Sequence, residues 1–130
     1  MTTEELISIA KSEKQKAYAP FSNFRVAAIL IAENGKVYTG VNIENSTYGA
    51  TCCAERTAIF KAVSEGERKF KQIAIISDSD EFTYPCGICR QVMAEFASDD
   101  FQIFCSDKNG NYVRETLGSL LPNAFRLKPQ

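Results

Sequence analysis

Apolar residues recur along the 130 positions with two spacings, one helical and one strand-like. Leu6, Ile9, Ala10 and Ala17 lie near one helical face behind Thr2-x-x-Glu5, a capping box in which hydroxyl and carboxylate satisfy each other's backbone N–H. This predicts a helix over 2–18, ended by Pro20. Residues 24–33 form a strand-like run, Asn34-Gly35 is hairpin chemistry, and 36–43 alternates as a second strand. Residues 51–64 predict a helix stopped near Gly66, and 72–77 a continuously apolar, buried strand. Pro85 precedes a helix over 86–97, 102–105 reads as a strand, and Asn109-Gly110 as a turn. A short strand fits 112–114, and 117–121 has one helical turn interrupted by Pro122. The order α-β-β-α-β-α-β, a hairpin followed by strand–helix alternation, implies a mixed sheet with helices on its faces. No repeat, linker or low-complexity stretch divides the chain, so a single domain over 1–130 is expected.

Charge and composition remove several classes of function. The net charge of -1 gives no electrostatic reason to bind a polyanion, so nucleic acid is not expected as a partner. The longest apolar run, Val26 to Ala32, falls well short of the ~20 residues of a membrane span. The acidic start, Met1-Thr2-Thr3-Glu4-Glu5, lacks the positive charge of a secretory signal, which points to a cytoplasmic protein. Five cysteines, an odd number, argue against a disulfide framework. Histidine is absent, so proton transfer falls to a carboxylate, a lysine, a tyrosine or metal-bound water.

Four cysteines fall in two tight groups. Pro85-Cys86-Gly87-Ile88-Cys89 sets two thiols at i and i+3 at a helix start, on one face, where the helix N-terminus favours thiolates. Cys52-Cys53-Ala54-Glu55 opens another helix. Two such groups can meet at one end of the sheet, where α/β sites form. Two thiols from one helix and one from the other leave a tetrahedral zinc with an open position, as a catalytic site requires. Spacing does not decide between Cys52 and Cys53: Cys52 and Glu55 share a helical face, but first-turn residues need not keep the period. A structural zinc on Cys52, Cys53, Cys86 and Cys89 and a redox Cys86–Cys89 pair compete with this reading.

Cys53-Ala54-Glu55 with Pro85-Cys86-Gly87-Ile88-Cys89 resembles the zinc nucleoside deaminase signature, whose three-cysteine form carries a non-ligating Glu. Residues 18–26 (YAPFSNFRV), Asn42-Ile43-Glu44-Asn45 and Cys53-Ala54-Glu55-Arg56 resemble cytidine deaminases of the short, single-domain kind, and the likeness runs from the first helix to the C-terminus. Two departures, Ala27 where Gly is common and Ser46-Thr47 where a pair such as Ala-Ser is common, are expected near the substrate pocket.

The resemblance implies a three-layer α-β-α sandwich with a mixed five-stranded sheet. It also implies hydrolytic deamination of cytidine and deoxycytidine in pyrimidine salvage, by one zinc ion per subunit on Cys53, Cys86 and Cys89 with Glu55 as the proton carrier. Asn42 and Glu44, two apart at a strand end and so on one face, are implied to grip the ribose hydroxyls. Phe24, a core residue on pattern alone, is implied to stack on the pyrimidine, and the Ala54 N–H to reach the base O2. Tyr48 and Phe125 resemble the aromatic residues that reach a neighbouring subunit's site, implying a homotetramer with shared sites. Three thiolates give the zinc centre a formal charge of -1, so a cation should drain charge from sulfur; Arg56 is the first candidate and Arg90 the second. Cys105 is expected in the core, and Cys52 in packing or as a shield of the site. A deaminase of another small aminopyrimidine nucleoside on the same fold is the alternative reading.

Overall fold

The computed structural model describes residues 1–129. Helix α1 (Thr3–Glu13) starts at Thr2, whose hydroxyl accepts from the Glu5 N–H at 3.1 Å while the Glu5 carboxylate returns to the Thr2 N–H. It ends earlier than the apolar pattern predicts. A single 3₁₀ turn covers Lys14–Lys16, Ala17 is extended, and the Tyr18 N–H donates to the Asn42 carbonyl at 3.0 Å. A long-range backbone bond thus competes away the last helical turn, which periodicity cannot register.

Strands β1 (Val26–Ala32) and β2 (Val37–Val41) form the expected hairpin, with Gly35 at φ +89° in its turn. Helix α2 (Ala54–Ser64), strand β3 (Phe70–Ser77), helix α3 (Gly87–Phe96) and strand β4 (Gln102–Ser106) follow. The short strand near residue 112 is a full element, β5 (Tyr112–Thr116), and leads into a single helical turn, α4 (Leu117–Leu120). Sheet order is β2-β1-β3-β4-β5; only β3 and β4 pair in parallel, joined by α3.

Alternate strand residues build two cores. Ala27, Ile29, Ile31, Ala74, Ile76 and Phe104 face α1, packing on Leu6, Ile7 and Ala10. Ala28, Leu30, Ile73, Ile75, Ile103 and Cys105 face α2 and α3, packing on Ala58, Ile59 and Met93. The result is the expected three-layer sandwich with a mixed five-stranded sheet, and Cys105 is core, as its apolar context implies. Ala27 corrects one expectation. It is fully buried against α1, on the face opposite α2 and α3, so its departure from Gly bears on α1 packing and not on a pocket.

Candidate metal centre and active site

Helices α2 and α3 each begin with a cysteine in extended backbone: Cys53 caps α2 at ψ 155° and Cys86 caps α3 at ψ 168°. Neither thiol caps its own helix, and they approach each other, Sγ to Sγ at 3.8 Å. Cys89, in the first turn of α3, is fully buried and completes a trio whose sulfurs all lie within 4.8 Å of one another. A zinc–sulfur bond of about 2.3 Å puts tetrahedral thiolates about 3.8 Å apart, which matches the Cys53–Cys86 separation. The soft all-sulfur donor set fits zinc as well.

Cys52 lies outside the cluster. Its N–H and carbonyl both bond Ile43, each at 2.9 Å, tying the lead-in of α2 to the chain leaving β2. The ambiguity that spacing left open is resolved by this backbone tie and by the non-helical conformation of Cys53. A four-cysteine site is not formed.

Charge around the sulfurs is uneven. The Cys53 thiol is lowered to about 5, first by a hydrogen bond with the Cys89 thiol and then, against burial, by Arg56 and Cys86. Cys89 is driven the other way, above the usual thiol range, by that same bond with Cys53 and by burial. The Arg56 guanidinium donates Nη2 to Cys53 Sγ at 3.4 Å, and the Cys53 contact raises its own pKa. Arg90 takes a different post: Nε donates to the Pro85 carbonyl and Nη1 to the Leu120 carbonyl, both at 2.8 Å, bracing the turn ahead of Cys86. Of the two candidate cations, Arg56 is the one on sulfur.

Glu55, in the first turn of α2, is 4% exposed. Burial pushes its carboxyl up to about 7; the Cys53 charge adds to this, while its own N–H at the helix start, Arg56 and the Cys89 thiol oppose it. A solvated helix carboxylate would show none of this. Ala54, also buried, is the first residue of α2, so its N–H has no place in the helical ladder.

Around this centre, the Asn42 side chain joins two neighbouring backbones. Its Oδ1 accepts from Val26 N at 2.9 Å and its Nδ2 donates to Phe24 O at 2.8 Å. Glu44 accepts from the Phe21 N–H at 2.8 Å, the Ser22 N–H at 3.1 Å and the Ser22 hydroxyl, which together hold its carboxyl below the usual range, the hydroxyl most. Ser22 is thus a site residue that no local period singles out; its partner lies 22 residues away. Phe24 is exposed beside Asn42. Tyr48, 83% exposed, lines a shallow depression with Phe21, Ser22, Glu44, Asn45 and Thr51, next to the Ser46-Thr47 departure. Phe125 does not join it. Phe125 is 67% exposed in a separate groove between α2 and α3, with Phe60 and Val92, and its carbonyl accepts from Gln91 Nε2.

Comparison with known proteins gives a consistent picture. Residues 1–105 match the family model described as the cytidine and deoxycytidylate deaminase zinc-binding region. The chain is 47% identical over 125 residues to a cytidine deaminase of Sporosarcina psychrophila, covering 96% of this chain and 92% of that protein. It is 45% identical to the cytidine deaminase of Halalkalibacterium halodurans, covering 96% and 95%. The crystal structure of cytidine deaminase from Burkholderia pseudomallei superposes with a TM-score of 0.92 at 43% identity, covering 96% of this chain and all of that one.

Proposed function

Because the chain belongs to the cytidine deaminase family, we propose that it hydrolyses the 4-amino group of cytidine and deoxycytidine, releasing ammonia and leaving uridine and deoxyuridine. The observation that carries this reading is the buried Glu55 carboxyl beside three converging thiols. Cys53, Cys86 and Cys89 would hold zinc, which would supply the Lewis acidity that makes water nucleophilic near neutral pH. Glu55 does the proton work. Its carboxylate accepts the proton of the attacking water, passes it to N3 of the base, then takes the second and delivers it to the departing amino nitrogen. Each donation restores the basic form of the carboxylate.

The Ala54 N–H donates to the base O2, and Phe24 stacks on the pyrimidine. Asn42 and Glu44 take the ribose hydroxyls; each keeps lone pairs and Asn42 keeps one N–H beyond the bonds already made. Tyr48 and Phe125, exposed and apart within one chain, act across subunits in a homotetramer with shared sites. A fully active monomer by sedimentation contradicts that assembly.

Arg56 offsets the formal negative charge that three thiolates leave on the centre. Arg56→Gln is expected to lower kcat/KM by about tenfold with zinc retained, and to shift the pH–rate profile to higher pH. Full turnover with an unmoved profile contradicts this role. The substrate reading is tested by following ultraviolet absorbance with cytidine, deoxycytidine and cytosine. Turnover of both nucleosides but not of the bare base is expected. Comparable turnover of cytosine removes the ribose grip, and no turnover of any removes the reading.

A further inference from the structure

The chain between Ser22 and β1 is irregular, yet the backbone groups of Phe24 and Arg25 are all bonded. Phe24 N donates to Ser22 Oγ and Phe24 O accepts from Asn42 Nδ2. Val26 N donates to Asn42 Oδ1, and Val26 O accepts from Asn42 N at 3.2 Å. Arg25, between them, is held from the other side, its backbone by Asp78 and its Nη1 by Gln15 Oε1 at 2.9 Å. Asp78 Oδ2 accepts its N–H at 2.9 Å, and the Asp78 N–H donates to its carbonyl at 3.1 Å. The Arg25 side chain then closes on the same carboxylate, Nε at 3.1 Å and Nη2 at 3.2 Å. Lys14, 7% exposed, fixes that carboxylate from the 3₁₀ turn after α1, Nζ to Oδ1 at 2.8 Å. Asp78 follows directly on β3, on the stretch of chain that leads to Cys86.

A buried lysine is costly to hold unless paired. Here its short contact is to the Asp78 carboxylate, with the Ser77 carbonyl as a longer second partner at 3.5 Å, and that carboxylate holds the Arg25 turn. We propose that Asp78, clamped by Lys14 and Arg25, is a positioning residue that sets the Phe24–Val26 wall of the nucleoside pocket. The inference rests on the reading of Phe24 and Asn42 as substrate contacts. Asp78 touches no reacting atom and acts by fixing where Phe24 stands against the base and where Asn42 presents its remaining N–H. Burial opposes ionisation of Asp78, but the hydrogen bonds from Arg25 and Lys14 outweigh it and hold the carboxyl well below the usual range, so the clamp is charged under working conditions.

A positioning role in binding predicts a KM effect with little change in kcat. In the zinc-loaded protein, Asp78→Asn is expected to raise KM for cytidine by about tenfold, with kcat within about twofold and zinc unchanged. Arg25→Met leaves the Lys14–Asp78 pair and the backbone bonds intact, so folding is safeguarded; its KM is expected to rise by about threefold. In a Phe24→Ala background, the Asp78→Asn effect should shrink by at least about twofold, because one of the two groups it positions is gone. Unchanged KM in both Asp78→Asn and Arg25→Met overturns the proposal, as does the same fold-rise with and without Phe24. Phe24→Ala with unchanged KM is a separate failure, which removes the pocket-wall reading and this inference with it.

Discussion

Glu55→Gln is expected to lower kcat for cytidine by about 10³-fold or more while zinc content stays at one per chain. The substitution is isosteric, so packing within the first turn of α2 is kept, and Glu55 is not one of the three sulfur ligands. What is lost is the only group there that can both take and give a proton. The free protein has no histidine to substitute for it. The same change separates catalysis from stability. A carboxyl whose folded pKa of about 7 lies above its unfolded value is penalised when ionised, fully above pH 7 and not at all below the unfolded pKa. Glutamine carries no such penalty, so in the metal-stripped protein the variant is expected to match or exceed the wild type in Tm at pH 8, with the difference closing toward pH 4. Retained turnover, or a fall in Tm at pH 8, contradicts the assignment.

Gly40→Ala is expected to cost about 3 kcal/mol or more and to lower zinc content in the same preparation. Gly40 lies in β2 directly beneath α2. A Cβ there would stand 2.4 Å from both the Ala54 carbonyl and the Ala58 N, and 2.9 Å from the Ala58 Cβ. Two of those atoms are helix backbone and cannot rotate aside, so α2 must lift from the sheet. Lifting the start of α2 moves Cys53 and Glu55 together, so stability and metal affinity should fall jointly. Gly49, with nothing within 4 Å of its added Cβ, is the control; Gly49→Ala is expected to stay within about 0.5 kcal/mol. A denaturant midpoint for Gly40→Ala equal to that control contradicts the close approach.

Much of this was legible in the sequence, for reasons that differ by element. The capping box, the Asn34-Gly35 turn and the strand expected over residues 72–77 are set by neighbours within a few positions, and they stand where the pattern puts them, the strand with two further residues at its start. The two cysteine groups are local motifs at helix starts, and the fold brings both to one centre. What the pattern missed was long-range. The last turn of the first helix gives way to a Tyr18–Asn42 backbone bond, and β5, expected only over 112–114, runs on to Thr116 through its register against β4. Spacing left Cys52 and Cys53 level because the tie between Cys52 and Ile43 joins segments that periodicity treats separately. Gly40 did carry a signal, a glycine inside an alternating strand, which marks close backbone approach. Ser22, Asp78 and Lys14 carried none, since each acts on a partner more than twenty residues away.

Three thiols converge beside Glu55, and a zinc ion held by them would keep one position for water. X-ray absorption at the zinc edge on the purified protein tests it most directly. The predicted result is one zinc per chain with three sulfur scatterers at about 2.3 Å and one lighter oxygen or nitrogen scatterer. Four sulfur scatterers, or a protein that binds no zinc and instead carries a Cys53–Cys86 or Cys86–Cys89 disulfide, would contradict it.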